Sequence, residues 1–163
     1  MLPKVYIETS VVSYLVARRN QRDLLVAANQ ELTREWWETR RHSFELYASA
    51  VVLAEAARGD RTFAEARVAI TRELALVEVS AAAIDLAGEL LQHAGLPRNA
   101  NEDALHIAIA STGGLDYLLT WNCKHIANAA IIPRVNRVVR HHGFEPPLIC
   151  TPQELMEDSD DAP

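Results

Sequence analysis

Five apolar runs of strand length, Val5 to Ile7, Phe44 to Ala48, Leu74 to Val79, Tyr117 to Leu119 and Leu148 to Cys150, punctuate the chain, and helical periodicity fills the segments between them. This alternation restricts the fold most, because a strand, a helix and a further strand in succession close as a βαβ crossover with parallel strands. The expected architecture is therefore α/β: a three-layer α/β/α sandwich around a mostly parallel sheet of roughly five strands, covered on both faces. With 163 residues, and no repeat, low-complexity block or Gly/Ser/Pro-rich linker, one domain is the simplest count.

The helices have their own signals. Leu25, Ala28, Leu32 and Trp36 fall on one stripe, opposite Arg34, Glu35 and Glu38. Ser80 is placed to cap a helix in which Ile84, Ala87, Leu91 and Ala94 share a face, and Gly95 with Leu96 and Pro97 stops it. A further helix from about Asn101 to Ser111 leads through Gly113 and Gly114 to the fourth strand.

Hydrophobic residues at 49 % and charged residues at 23 % exclude a disordered, collagen-like or coiled-coil chain. Cys123 and Cys150 form neither a CxxC pair nor a disulfide framework, which fits a reducing cytoplasm. Met1 to Ala17 contains Pro3, Lys4 and Glu8 and no uninterrupted apolar run, so neither a signal peptide nor a membrane span is expected there. The net charge of -6, from 16 bases and 22 acids, disfavours a nucleic-acid partner when taken alone. Four of those acids, Glu157, Asp158, Asp160 and Asp161, lie in the last seven residues; setting them aside leaves 18 acids against 16 bases.

Ligands of parallel sheets bind beyond the carboxyl ends of the strands, and polar residues collect there. Glu8 ends the first strand and is followed by the hydroxyl residues Thr9 and Ser10. Glu55 follows the second strand and shares a helical face with Val51 and Val52, so its charge needs a cation such as Arg58 or Arg61, a hydrogen-bond network, or a raised pKa. Asp103 opens an otherwise apolar helix beside Glu102, where the helix dipole alone also favours acids. The fourth strand runs into Thr120 and Asn122, which point the same way. Acids and an amide thus reach one sheet edge from four segments. Crowded carboxylates either take up a proton or bind a hard cation that prefers oxygen ligands, Mg2+ or Mn2+, and such an ion promotes phosphodiester hydrolysis.

The ordered set Ile7-Glu8-Thr9-Ser10, Glu55, Asp103 in Asp-Ala-Leu-His-Ile-Ala-Ile-Ala, and Leu118-Leu119-Thr120-Trp121-Asn122 resembles the PIN domain, particularly the VapC-type toxins of toxin–antitoxin pairs. The resemblance implies a PIN-like nuclease domain over residues 1–150 with a C-terminal acidic tail at 151–163. It further implies a cytoplasmic, Mg2+- or Mn2+-dependent endoribonuclease, usually a homodimer, that leaves a 5′-phosphate and a 3′-hydroxyl and is restrained by a cognate antitoxin protein. Glu8 and Asn122 stand where the family usually has Asp, and three carboxylates support one metal better than two. On this resemblance Glu8 and Asp103 ligate the metal, Glu55 holds a water or acts as base and completes the metal set, and Asn122 accepts through its carbonyl oxygen or orients water. Thr9, Ser10 and Thr120 orient water or phosphate. The alternative is a non-catalytic PIN-like module that binds RNA or protein. Arg134, Arg137 and His141 make one helical face basic, a candidate RNA surface or an ordinary solvated face; Trp36 is expected in the core. Phosphate-loop, dinucleotide-turn and nucleophile-elbow motifs do not occur.

Overall fold

In the computed structural model, which describes residues 1–156, the five runs become five parallel strands in the order β3-β2-β1-β4-β5. They are β1 (Lys4–Ile7), β2 (Glu45–Ala48), β3 (Ala75–Leu76), β4 (Tyr117–Leu119) and β5 (Leu148–Cys150). Val5, Tyr6 and Ile7 of β1 are wholly buried, as a central parallel strand with helices on both sides requires. Val5 is in register with Leu46 on one side and Tyr117 on the other. The edge strand β3 pairs only through Ala75 and Leu76, shorter than the apolar run from Leu74 to Val79, because its single neighbour β2 ends at Ala48.

Helices α1 (Thr9–Val16), α2 (Leu24–Thr39), α3 (Ala50–Ala56) and α4 (Arg61–Arg72) connect the first three strands, with α1 packed on the other three of this group. Helices α5 (Ala81–His93) and α6 (Asn101–Thr112) lead from β3 back across the sheet to β4, and α7 (Ile132–His141) joins β4 to β5; α5 packs on both α6 and α7. These are the two outer layers of the expected sandwich. The chain leaves β1 toward β2 in one direction and returns through β4 in the other, so the strand order switches between β1 and β4. That is where ligands bind in open parallel sheets.

Two helical stripes are rotated from expectation. In α2 the buried residues are Ala27, Gln30, Thr33 and Trp36, while Leu25 is 71 % exposed and only Trp36 is common to both sets. Hydrogen bonds decide this face. Gln30 accepts from the Asn20 amide and donates to the Arg18 carbonyl, and Thr33 Oγ1 accepts from Trp121 Nε1 at 2.7 Å. In α5, capped by Ser80 as expected, the buried face is Ala83, Leu86, Ala87, Leu90 and Ala94, with Ile84 turned outward. The α7 face behaves as read: Val135, Val138 and Val139 are buried, and Arg134, Arg137 and His141 are exposed. Residues 151–156 form a turn tied by Thr151 and Glu154, with Leu155 and Met156 against the core. The acidic stretch from Glu157 lies outside the described residues.

Candidate active site

Glu8 is the last residue before α1 and serves as its N-cap. Its Oε2 accepts from the Ser10 amide at 3.1 Å, from the Ser10 hydroxyl, and from Thr120 Oγ1 at 2.8 Å. Ser10 Oγ in turn accepts from the Trp121 amide at 2.8 Å, and Thr120 Oγ1 from the Asn122 amide at 2.9 Å. The loop after β4 is thus tied to the start of α1 through one buried carboxylate oxygen. The other oxygen, Oε1, holds no hydrogen-bond donor among the described residues and lies 3.9 Å from His106 Nε2.

Glu55 reaches the same place from α3, whose start is capped by Ser49. Its Oε1 accepts from Thr9 Oγ1 at 2.9 Å and is hydrogen-bonded to His106 Nε2; among the described residues no hydrogen bond reaches its Oε2. Neither arginine considered as its partner reaches it. Arg58 forms a two-pronged ion pair with Glu102 at 2.6 and 3.1 Å, and Arg61 pairs with Glu65 within α4. The partner is His106, wholly buried on α6 one turn after Asp103. One ligand atom from each of Glu8, Glu55 and His106 lies within 4.8 Å of the other two.

Asp103 forms a second group beside the first. Its Oδ1 accepts from Asn122 Nδ2 at 3.0 Å and its Oδ2 pairs with His125 Nδ1 at 2.9 Å, while Asn122 Oδ1 accepts from the His125 amide at 3.0 Å. The carbonyl oxygen of Asn122 is therefore held by backbone, and its amide fixes Asp103. Of the seven expected site residues, Glu8, Ser10, Thr120, Asn122 and Asp103 are linked by hydrogen bonds and Thr9 is bonded to Glu55, but Asp103, expected as a metal ligand, stands outside the Glu8–Glu55–His106 cluster.

His106 and His125 escaped the sequence reading. His106 looks like filler within an apolar run, but its spacing of three from Asp103 puts both on one helical face. His125 carries no such signal.

Burial alone would raise the Glu55 carboxyl. The hydrogen bond and charge of His106, with the Thr9 hydroxyl, outweigh it and hold the group below the ordinary carboxylate range. For His106, burial alone would lower the ring; its bond to Glu55 and the negative charges of Glu8, Glu55 and Asp103 hold it above the ordinary imidazole value. The donor set suits a hard divalent cation. Glu8 and Glu55 each commit one oxygen to the protein and, among the described residues, leave the other without a hydrogen-bond donor, and oxygen ligands are what Mg2+ and Mn2+ take.

No family model and no curated protein matches the sequence. Solved structures do. VapC20 of Mycobacterium tuberculosis, a sarcin-ricin loop cleaving toxin, is similar at 18 % identity and a TM-score of 0.57, over 86 % of this chain and 95 % of that one. VapBC2 from Rickettsia felis, solved bound to a DNA fragment from its promoter, is similar at 19 % identity and a TM-score of 0.52, over 91 % of this chain and 98 % of that one. At these identities the likeness is one of fold, the α/β/α sandwich expected from the sequence.

Proposed function

We propose that the chain is a divalent-metal-dependent endoribonuclease, the toxin of a toxin–antitoxin pair. One observation carries the reading: at the switch point between β1 and β4, Glu8 and Glu55 are each anchored through one oxygen, and the other oxygen has no hydrogen bond among the described residues. The likeness in fold to one toxin that cuts the sarcin-ricin loop and to a toxin–antitoxin pair supports RNA as the substrate and an antitoxin as the partner. Homodimerisation rests on the family resemblance alone. The cytoplasm as the site of action rests on that resemblance and on the cysteine usage.

Glu8 Oε1, Glu55 Oε2 and the remaining lone pairs of Asp103 would hold one Mg2+ or Mn2+. Such an ion, when bound, polarises the phosphoryl oxygen and offsets charge on the leaving group. With Glu8, Glu55 and Asp103 committed to holding the ion, the attacking water gives its proton to solvent. The water oxygen bonds to phosphorus as the bond to the 3′ oxygen breaks, and that oxygen takes a proton from solvent and leaves as a hydroxyl, with a 5′-phosphate on the other fragment. Thr9, Ser10 and Thr120 act by fixing the carboxylates instead of touching phosphate, and Asn122 and His125 fix Asp103.

The test is purified protein with structured RNAs, in Mn2+ or in chelator, beside Glu55→Gln. Cleavage that needs Mn2+ and is lost in the variant supports a nuclease. RNA bound but uncut in Mn2+ identifies the non-catalytic module, and cleavage by the variant at the parental rate identifies a contaminant.

A further inference from the structure

The ring that faces both glutamates is also the end of a buried chain. Ser49 Oγ, which caps α3, lies 2.8 Å from the Tyr6 hydroxyl; that hydroxyl lies 2.8 Å from His106 Nδ1; and His106 Nε2 is bonded to Glu55 Oε1. Ser49, Tyr6 and His106 are wholly buried. The chain closes a loop through three elements: it leaves the start of α3, crosses β1 and α6, and returns to Glu55 near the end of α3.

The chemistry of the last bond sets its direction. A carboxylate can only accept, so Nε2 must carry the hydrogen. A nitrogen that carries a hydrogen has no lone pair to give a metal. His106 is therefore placed among the candidate ligands by distance and removed from them by its hydrogen bond. Its effect is on Glu55. With His106 and Thr9 both donating to Oε1, the carboxylate cannot rotate without breaking two bonds, and Oε2 is the oxygen left without a hydrogen bond among the described residues.

We infer that His106 is a positioning residue, held by Tyr6 and Ser49, which aims Oε2 of Glu55 into the site and is not itself a metal ligand. This rests on the metal-dependent reading above. Groups that orient a metal ligand in this way are typically worth about 10–100-fold in metal affinity.

The experiment titrates Mn2+ calorimetrically, without RNA, into the parent protein and four variants. His106→Gln places an amide donor near the Nε2 position, His106→Asn places one near Nδ1, and His106→Leu offers neither. Tyr6→Phe keeps the ring packed and removes the support, and it decides the matter where a His106 variant fails to fold. The expected result is Mn2+ binding weakened about 10–100-fold in the Asn and Leu variants, substantial recovery in the Gln variant, and an intermediate loss in Tyr6→Phe. Pulsed electron paramagnetic resonance of the Mn2+-loaded parent should show no directly bound nitrogen. Parental affinity in a folded His106→Asn or His106→Leu variant or in Tyr6→Phe, or a directly bound imidazole nitrogen, overturns the positioning role while leaving the metal reading intact. No Mn2+ uptake by the parent overturns both.

Discussion

Replacing Thr120 by Val keeps the side-chain shape and removes one hydroxyl, which isolates what anchoring Glu8 is worth. Thr120 is wholly buried, donates to Glu8 Oε2 at 2.8 Å and accepts from the Asn122 amide at 2.9 Å. A hydrogen bond to a charged group contributes about 1.5–3 kcal/mol, and Asn122 lies near enough to solvent for water to replace the second bond. The expected loss is therefore about 2–3 kcal/mol, or roughly 4–12 °C in melting temperature for a chain of this size. Thr120→Ser keeps the hydroxyl and deletes one buried methyl, at about 1 kcal/mol. Urea unfolding in chelator measures both, with the midpoint shifting at constant slope if only native-state stability changes. A Val variant within about 0.5 kcal/mol of the parent, or a Ser variant as unstable as the Val variant, would refute the reasoning that the hydroxyl holds Glu8.

Stability should also depend on pH through the Glu55–His106 pair. Glu55, lowered in the fold, contributes stability that is present above its unfolded value and lost as pH falls through its folded value. His106, raised in the fold, contributes stability that is present below its unfolded value and lost as pH rises through its folded value. Metal-free protein is thus expected to gain most from the pair between those two values, and Glu55→Gln to lose that dependence in urea melts across pH; an unchanged profile would contradict the pairing. Trp36 is wholly buried and stacked on Phe44 at 5.8 Å, while its Nε1 finds no acceptor among the described residues. Trp36→Ala should cost about 3–5 kcal/mol, and Trp36→Phe far less because it also removes an unsatisfied N–H; equal losses by the same melts would contradict this.

The strands were legible because a short apolar run bounded by turns has few other uses, and the site was legible because acids at strand ends are conspicuous. What escaped depends on contacts between distant segments. The buried face of α2 differs from the one apolar spacing predicts because Gln30 and Thr33 count as polar until Asn20, Arg18 and Trp121 satisfy them. Arg58 is the nearest cation to Glu55 in sequence, but it pairs with Glu102 while a histidine from another helix takes its place. His106 shows its role only when β1 brings Tyr6 to its other nitrogen.

The most direct measurement is a crystal grown in Mn2+ and examined for anomalous scattering from the ion. One peak is expected between Glu8 Oε1 and Glu55 Oε2, within reach of Asp103, with His106 Nε2 still bonded to Glu55. A peak elsewhere, or none at this edge under saturating Mn2+, would contradict the claim that these glutamates are arranged to hold a divalent ion.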